Sequence, residues 1–305
     1  MNTKTFLSWV PVVAAGATAV LGFSTQVSAA TVGLGAATGY NVFVLGDFTS
    51  SSSDTEGKVA IGGNANLQNY SVGLKDQGGD ALVVGKNLNF QGGTVYGNAV
   101  YGGNASITNV TFQNGSIKSG NPIDFGKAAQ SLLNLSSSYL SGSATDAEVS
   151  PWGEITLDGK GSNNVFNLAG SDLSKASSLS FKGAESFIVN VSGSDIDLKN
   201  FGFNLGSVDK KNILFNFFEA TNLTASSLGI EGSFLAPKAK VTFNNGQLNG
   251  TLVAASFAGN GQFNHVGRPP VEKPPASVPE PATLAGLGFA AAALATSRRK
   301  NKQAA

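Results

Sequence analysis

Between Val59 and Ile107 the chain repeats one pattern three times: three consecutive apolar residues, a glycine-led corner, an asparagine, then apolar-polar-apolar alternation. The copies are Val59-Ala60-Ile61-Gly62-Gly63-Asn64-Ala65-Asn66-Leu67, Leu82-Val83-Val84-Gly85-Lys86-Asn87-Leu88-Asn89-Phe90 and Ala99-Val100-Tyr101-Gly102-Gly103-Asn104-Ala105-Ser106-Ile107. Each reads as two short strands joined by a bend. A spacing of about 20 residues is near one turn of a β-solenoid, where a coil buries its apolar side only by stacking on the next. Glycine turns the corners, and Asn64, Asn87 and Asn104 at equivalent positions predict a stacked ladder. A degenerate fourth copy, Phe234-Leu235-Ala236-Pro237-Lys238-Ala239-Lys240-Val241, lies far downstream.

A second echo predicts that both ends of this region belong to one stack. Gly93-Thr94-Val95-Tyr96-Gly97-Asn98-Ala99-Val100 has the shape of Gly246-Gln247-Leu248-Asn249-Gly250-Thr251-Leu252-Val253. Between them the pattern breaks. Asn121-Pro122 reads as a helix cap followed by proline at the first helical position, and Phe125, Ala129, Leu132, Ser136 and Leu140 recur at helical spacing. After Trp152 the runs Glu154 to Leu157, Val165 to Leu168, Ser186 to Val191 and Ile213 to Phe218 read as strands. The expected fold is mainly β, a discontinuous parallel β-helix (β-solenoid) with one lateral α-helix around residues 122–140.

The termini follow other rules. Lys4, the apolar stretch from Phe6 to Phe23 and the small residues Val27-Ser28-Ala29-Ala30 have the order of a secretory signal peptide, with cleavage expected at Ala29 or Ala30. The body is expected to span residues 31–267. A proline-rich linker follows at 268–277, extended because each ring fixes φ and removes a donor. Next come Val278-Pro279-Glu280-Pro281, an apolar run to Thr296 of about 15 residues, short of the roughly 20 of a comfortable span, then Arg298-Arg299-Lys300 as a basic stop and a tail at 301–305. This order resembles the PEP-CTERM sorting signal of bacterial surface proteins. The resemblance implies an exosortase-type processing enzyme as a partner and transient contact with the inner membrane through the C-terminal helix.

Composition narrows the chemistry. The formal net charge is +1, and residues 31–267 contain no arginine, which argues against nucleic-acid or other polyanion binding and removes bidentate recognition of phosphate. Cysteine is absent, so there is neither a disulfide nor thiolate chemistry. His265 is the sole histidine, so a histidine-rich metal site cannot be built, and a loop role suits it better than a triad. No cofactor is expected. Asp47, Asp54 and Glu56 lie close in sequence and are candidate calcium ligands, Asp76 and Asp80 flank a Gly-Gly turn, and neither stretch has EF-hand spacing; solvated turn carboxylates are the favoured reading of both sets.

Several segments resemble the choice-of-anchor A family, in which one extracellular domain is paired with different anchoring tails. They are Tyr40 to Phe48, Asp54 to Asn64, Ile213 to Thr221 and Gly232 to Ala239, with the ending from Leu248-Asn249-Gly250 to His265. The resemblance implies a β-helical adhesive surface domain with no catalytic residues to carry across. The expected function is an exported cell-surface or extracellular-matrix binding module, not an enzyme, with exopolysaccharide or a matrix protein as partner and Asn64, Asn87 and Asn104 as its candidate ligand face. The alternatives are a polysaccharide-active β-helix enzyme, which would need clustered carboxylates, and an ice binder, which would need a regular threonine array where Thr94, Thr108, Thr111 and Thr242 are scattered.

Overall fold

The computed structural model describes residues 32–267; the leader, linker and sorting-segment expectations lie outside them. The described chain is a three-faced parallel β-solenoid. Strand Val59–Ile61 pairs in register with Leu82 to Val84 and onward to Ala99 to Tyr101, so Val59, Leu82 and Ala99 stand in one column. Ala65–Val72 pairs with Leu88–Tyr96, and that with Ala105–Gln113, so each sequence repeat is one coil. The degenerate copy belongs to the same column: Phe234 pairs with Leu252, Leu252 with Val42, and Val42 with Val59.

The stack is discontinuous, as its two echoes predict. The chain begins in the middle, where Val42–Val44 inserts between Val59–Ile61 and the late strand Leu252–Gly259. It climbs to Ile117–Ser119, leaves through the helix, restarts at the far end with Glu154–Ala169, and climbs back to meet its own beginning. Leu248 shares a column with Phe263, Thr55, Val72 and Val95, and Leu252 shares one with Ala99. The two echoing octapeptides therefore occupy equivalent corners.

The apolar triplets Val42-Phe43-Val44 and Val59-Ala60-Ile61 are buried throughout, because one face of the solenoid is itself covered. Their middle residues point out of the coil. Phe43, Ala60, Leu214, Leu235 and Val253 form a second apolar cluster with Ala128 and Leu132 of the helix and with Val32, Leu34 and Ala37 of the entering segment. The helix is Phe125–Ser138, shorter than the expected 122–140. Its cap is Asp124, whose carboxylate accepts from Lys127 N at 3.0 Å, in place of Asn121 with Pro122 behind it. It buries Ala128, Leu132 and Ser136, while Leu140 lies beyond its end and is exposed. Fourteen residues give about 21 Å of helix, close to the roughly 19 Å of four inter-strand steps between the coil of Val59 and that of Ile213. A buried polar latch fixes the far end: Ser136 Oγ meets Asn216 Oδ1 at 2.6 Å, Asn216 Nδ2 donates to Asn190 Oδ1 at 2.8 Å, and Asn190 Nδ2 donates to Tyr139 O at 2.9 Å.

Candidate functional site

With one face under the helix, an open surface lies on the strands that follow the glycine-asparagine corner. Their odd positions (Phe48, Leu67, Phe90) point into the core and their even positions out, because successive side chains of a strand alternate. The outward positions fall in columns. One runs Asp197, Thr224, Thr242, Ala258, Thr49, Asn66, Asn89, Ser106; the next runs Lys199, Ser226, Asn244 in one set of coils and Ser51, Gln68, Gln91, Thr108 in the other. Columns two residues apart are about 6.6 Å apart, and rungs about 4.8 Å apart. From Thr49 to Thr108 the face is exposed amide and hydroxyl groups with no charge. At its other end sit Asp195, Asp197, Lys199 and Lys240; hydrogen bonds from Ser194 and Asn222 hold the Asp195 carboxyl below the ordinary range, and Lys199 does the same for Asp197.

Two kinds of corner frame this face. At the first, Asn64, Asn87 and Asn104 form the expected ladder by side chain to backbone: Asn87 N donates to Asn64 Oδ1 at 3.4 Å and Asn104 N to Asn87 Oδ1 at 2.9 Å. Asp47 is its first rung, accepting from Asn64 N at 2.7 Å and from Asn64 Nδ2 at 3.1 Å. The Oδ1 atoms of Asp47, Asn64 and Asn87 are therefore committed to the fold. At the second corner Ser52, Asn69, Gly92 and Asn109 all have positive φ, as do Asn200, Ser227 and Asn245 in the earlier coils. Asparagine tolerates this left-handed region better than other non-glycine residues. Sequence reasoning passed over both this corner and the outward ranks. The signal was present in the alternation Asn64-x-Asn66-x-Gln68, Asn87-x-Asn89-x-Gln91 and Asn104-x-Ser106-x-Thr108.

The candidate calcium ligands are not brought together. Asp47 is used by the ladder, Asp54 receives Gln262 Nε2 at 3.5 Å, and Glu56 Oε2 accepts from His265 N at 2.9 Å. Among the described residues no three His, Cys, Asp or Glu side chains gather as a metal site. Burial, with Glu56 nearby, pushes the Asp54 carboxyl above its ordinary range. Asp76 and Asp80 pair with Lys58 at 3.7 Å and Lys118 at 2.9 Å, so both turn carboxylates serve the fold. His265 is a loop residue packed near Gly57 and Asn41. A cleft of about 330 Å³ away from the polar face is lined by Asp146, Asn167, Asp172, Asn190 and Phe218, with no basic side chain to pair its two carboxylates.

The sequence profile of the ice-binding-like adhesive domain matches residues 33–265. The chain belongs to that family. In this member of the adhesive family, residues 277–300 also match the PEP-CTERM protein-sorting motif, which spans Val278 to Pro281 and Arg298 to Lys300. An adhesive domain with that motif marks an exported, cell-surface protein handled by an exosortase-type sorting system. Among the described residues no helix is long and apolar enough to cross a membrane. Solved structures that the adhesive chain resembles include an ice-binding protein from an Antarctic biological consortium (14% identity, 84% of this chain and 94% of that one, TM-score 0.40) and a glycosylated ice-binding protein from an Arctic yeast (16% identity, 80% and 97%, TM-score 0.37). A third comes from the Antarctic ascomycete Antarctomyces psychrotrophicus (14% identity, 77% and 98%, TM-score 0.31). No curated protein matches the chain.

Proposed function

We propose that the protein is a surface adhesin of the choice-of-anchor A type whose open polar face holds an uncharged polysaccharide without cleaving it. In this reading residues 1–30 leave at Ala29 or Ala30, residues 31–267 are the binding domain, 268–277 hold it away from the envelope, and 278–300 are the address, ended by a basic stop and the tail 301–305. The observation that carries it is the uncharged stretch of ranks from Thr49 to Thr108. Amides offer both donors and acceptors to vicinal hydroxyls, and their regular spacing suits a repeating polymer. The exposed side chains of Asn87 and Asn104 border the face and extend it, next to the half-buried Asn64. A polyanion would need lysine or arginine, which these ranks lack.

Thr224 and Thr242 on neighbouring rungs, with the family's ice-binding-like character, favour ice as the second reading. Against it, Asn, Gln, Ser and Ala interrupt the threonines within the same columns. The test is a binding screen of the purified protein against neutral and anionic polysaccharides, with and without calcium, alongside an ice-recrystallisation assay and product analysis. Saturable binding of a neutral polysaccharide without products supports the proposal. Cleavage, a preference for polyanions, or activity on ice alone each refutes it.

A further inference from the structure

The two ends of the solenoid are finished differently. At the end that starts with Glu154–Ala169, the short strands Thr145–Asp146 and Glu148–Val149 pair over the outer edge. The core residues of that coil, Ile155, Leu157, Phe166 and Leu168, are all buried. The other end is covered along one face only, where Ile117–Ser119 pairs with Asn98–Tyr101. Ala105–Gln113 pairs on one side with Leu88–Tyr96, and among the described residues no strand pairs with its other side. Its inward residues Ile107, Val110 and Phe112 are only half-buried, whereas Phe90, Tyr70 and Val95 in the same columns of inner coils are fully buried. The sequence Ala-Ser-Ile-Thr-Asn-Val-Thr-Phe-Gln carries no charge and no proline, the residues that ordinarily blunt an exposed edge. Repeat stacks generally need a polar terminal coil, and this one is apolar inside and unpaired outside.

We propose that this end docks against the same end of a second copy of the chain, residues 105–109 of the two Ala105–Gln113 strands pairing antiparallel about a two-fold axis at Ile107. A segment of the same chain fits less well. Gly267 departs beside the coil of Glu56, about three rungs or 14 Å from the edge, and residues 268–277 carry four prolines that cannot donate to a ladder. Residues 1–30 read as a leader that leaves on export. Head-to-tail stacking is blocked by the capping strands at the other end, so the contact closes as a dimer and does not propagate as a fibre. A register centred on Ile107 sets Ile107 opposite Ile107 of the mate and Ser106 opposite Thr108 of the mate. The axis passes through the polar face, so the two faces join into one of twice the length, whatever they bind.

The test is sedimentation velocity of the exported protein over a range of concentrations. A concentration-dependent dimer is expected. Ser106→Lys with Thr108→Lys places like charges opposite each other twice across the axis and should raise the dissociation constant about ten-fold or more. Ser106→Lys with Thr108→Glu makes the same pairs opposite in sign and should restore it. Independently, amide exchange across residues 105–109 of the unsubstituted protein should slow as concentration rises. A monomer at every concentration, a dimer indifferent to the double-lysine change, no restoration by Thr108→Glu, or exchange unaffected by concentration would overturn the proposal.

Discussion

Asn41 is the staple where the beginning of the chain meets its end. Its side chain is buried; Nδ2 donates to Gly250 O at 2.5 Å and to Asn264 O at 3.2 Å, while Oδ1 accepts from Gly57 N at 3.0 Å. Replacing it by alanine orphans a buried N–H and weakens the satisfaction of two carbonyls, at about 1–3 kcal/mol for each group left without a partner. Nearby interactions remain: Phe48 stacks on Phe257 at 4.7 Å across the same seam, and Val42–Val44 still pairs with Leu252 to Ala254. The net cost of Asn41→Ala is therefore expected at about 3 kcal/mol, or a fall in Tm of roughly 6–12 °C for a domain of this size. Asn41→Asp keeps the acceptor for Gly57 but turns the donor into a carboxylate facing two carbonyl oxygens. It should cost more, about 5 kcal/mol at neutral pH, because a buried charge is left unpaired. Its folded-state carboxyl would be raised, so the deficit should shrink as pH falls through the carboxyl range and the group protonates. Thermal melts by circular dichroism at pH 7 and pH 3 measure both. An alanine variant within about 1 kcal/mol of the parent, or an aspartate variant as stable as the parent at pH 7, would refute the reasoning.

Other consequences are as direct. Gly93 has φ +127° and a Cβ there would run into the Tyr70 carbonyl, so Gly93→Ala should cost about 3 kcal/mol or more in a urea melt; a loss under about 1 kcal/mol would show that the coil can yield. Ser136→Ala breaks the latch to Asn216 and should cost about 1–3 kcal/mol, with faster amide exchange in Phe125–Ser138 than in the strands beneath; uniform exchange would contradict a locally pinned helix. Because the Asp54 carboxyl is raised in the folded state, its protonated form favours folding at low pH and that contribution is lost as pH rises through the folded pKa. Asp54→Asn should thus raise Tm at pH 7 and lose the advantage at pH 3, and a constant difference at both pH values would count against the desolvated setting.

What was readable in the sequence is what each coil carries within itself. Gly-Gly-Asn at Gly62 and Gly102 marks a corner because glycine lets strands approach there, and the alternation after it marks one buried side. The expected ladder is present, with Asp47 as an added rung that a search for identical residues overlooks. Coils built around Glu154–Ala169 and Ser178–Ser192 run through their bends in long strands, so their strands were legible and their rungs were not. The helix start moved from Asn121-Pro122 to Asp124 because the capping contact depends on which oxygen reaches Lys127 N. Asn41 and Gly250 are 209 residues apart, and nothing local to either announces the bond. Asp47, Asp54 and Glu56 stay apart for a related reason: Asp47 belongs to a corner, and Asp54 and Glu56 turn to Gln262 and His265 of the returning coil.

The measurement that bears most directly on the central claim is a binding isotherm for the neutral polysaccharide retained in the screen. It would compare the unsubstituted protein, a variant with Asn89→Ala and Gln91→Ala at the centre of the polar face, and Thr94→Ala on the adjoining face. Losing two amides that bond the ligand directly should weaken affinity about ten-fold, at roughly 0.5–1.5 kcal/mol per hydrogen bond, while Thr94→Ala leaves it unchanged. Full affinity in the double variant, or an equal loss in Thr94→Ala, would contradict the assignment of binding to these ranks.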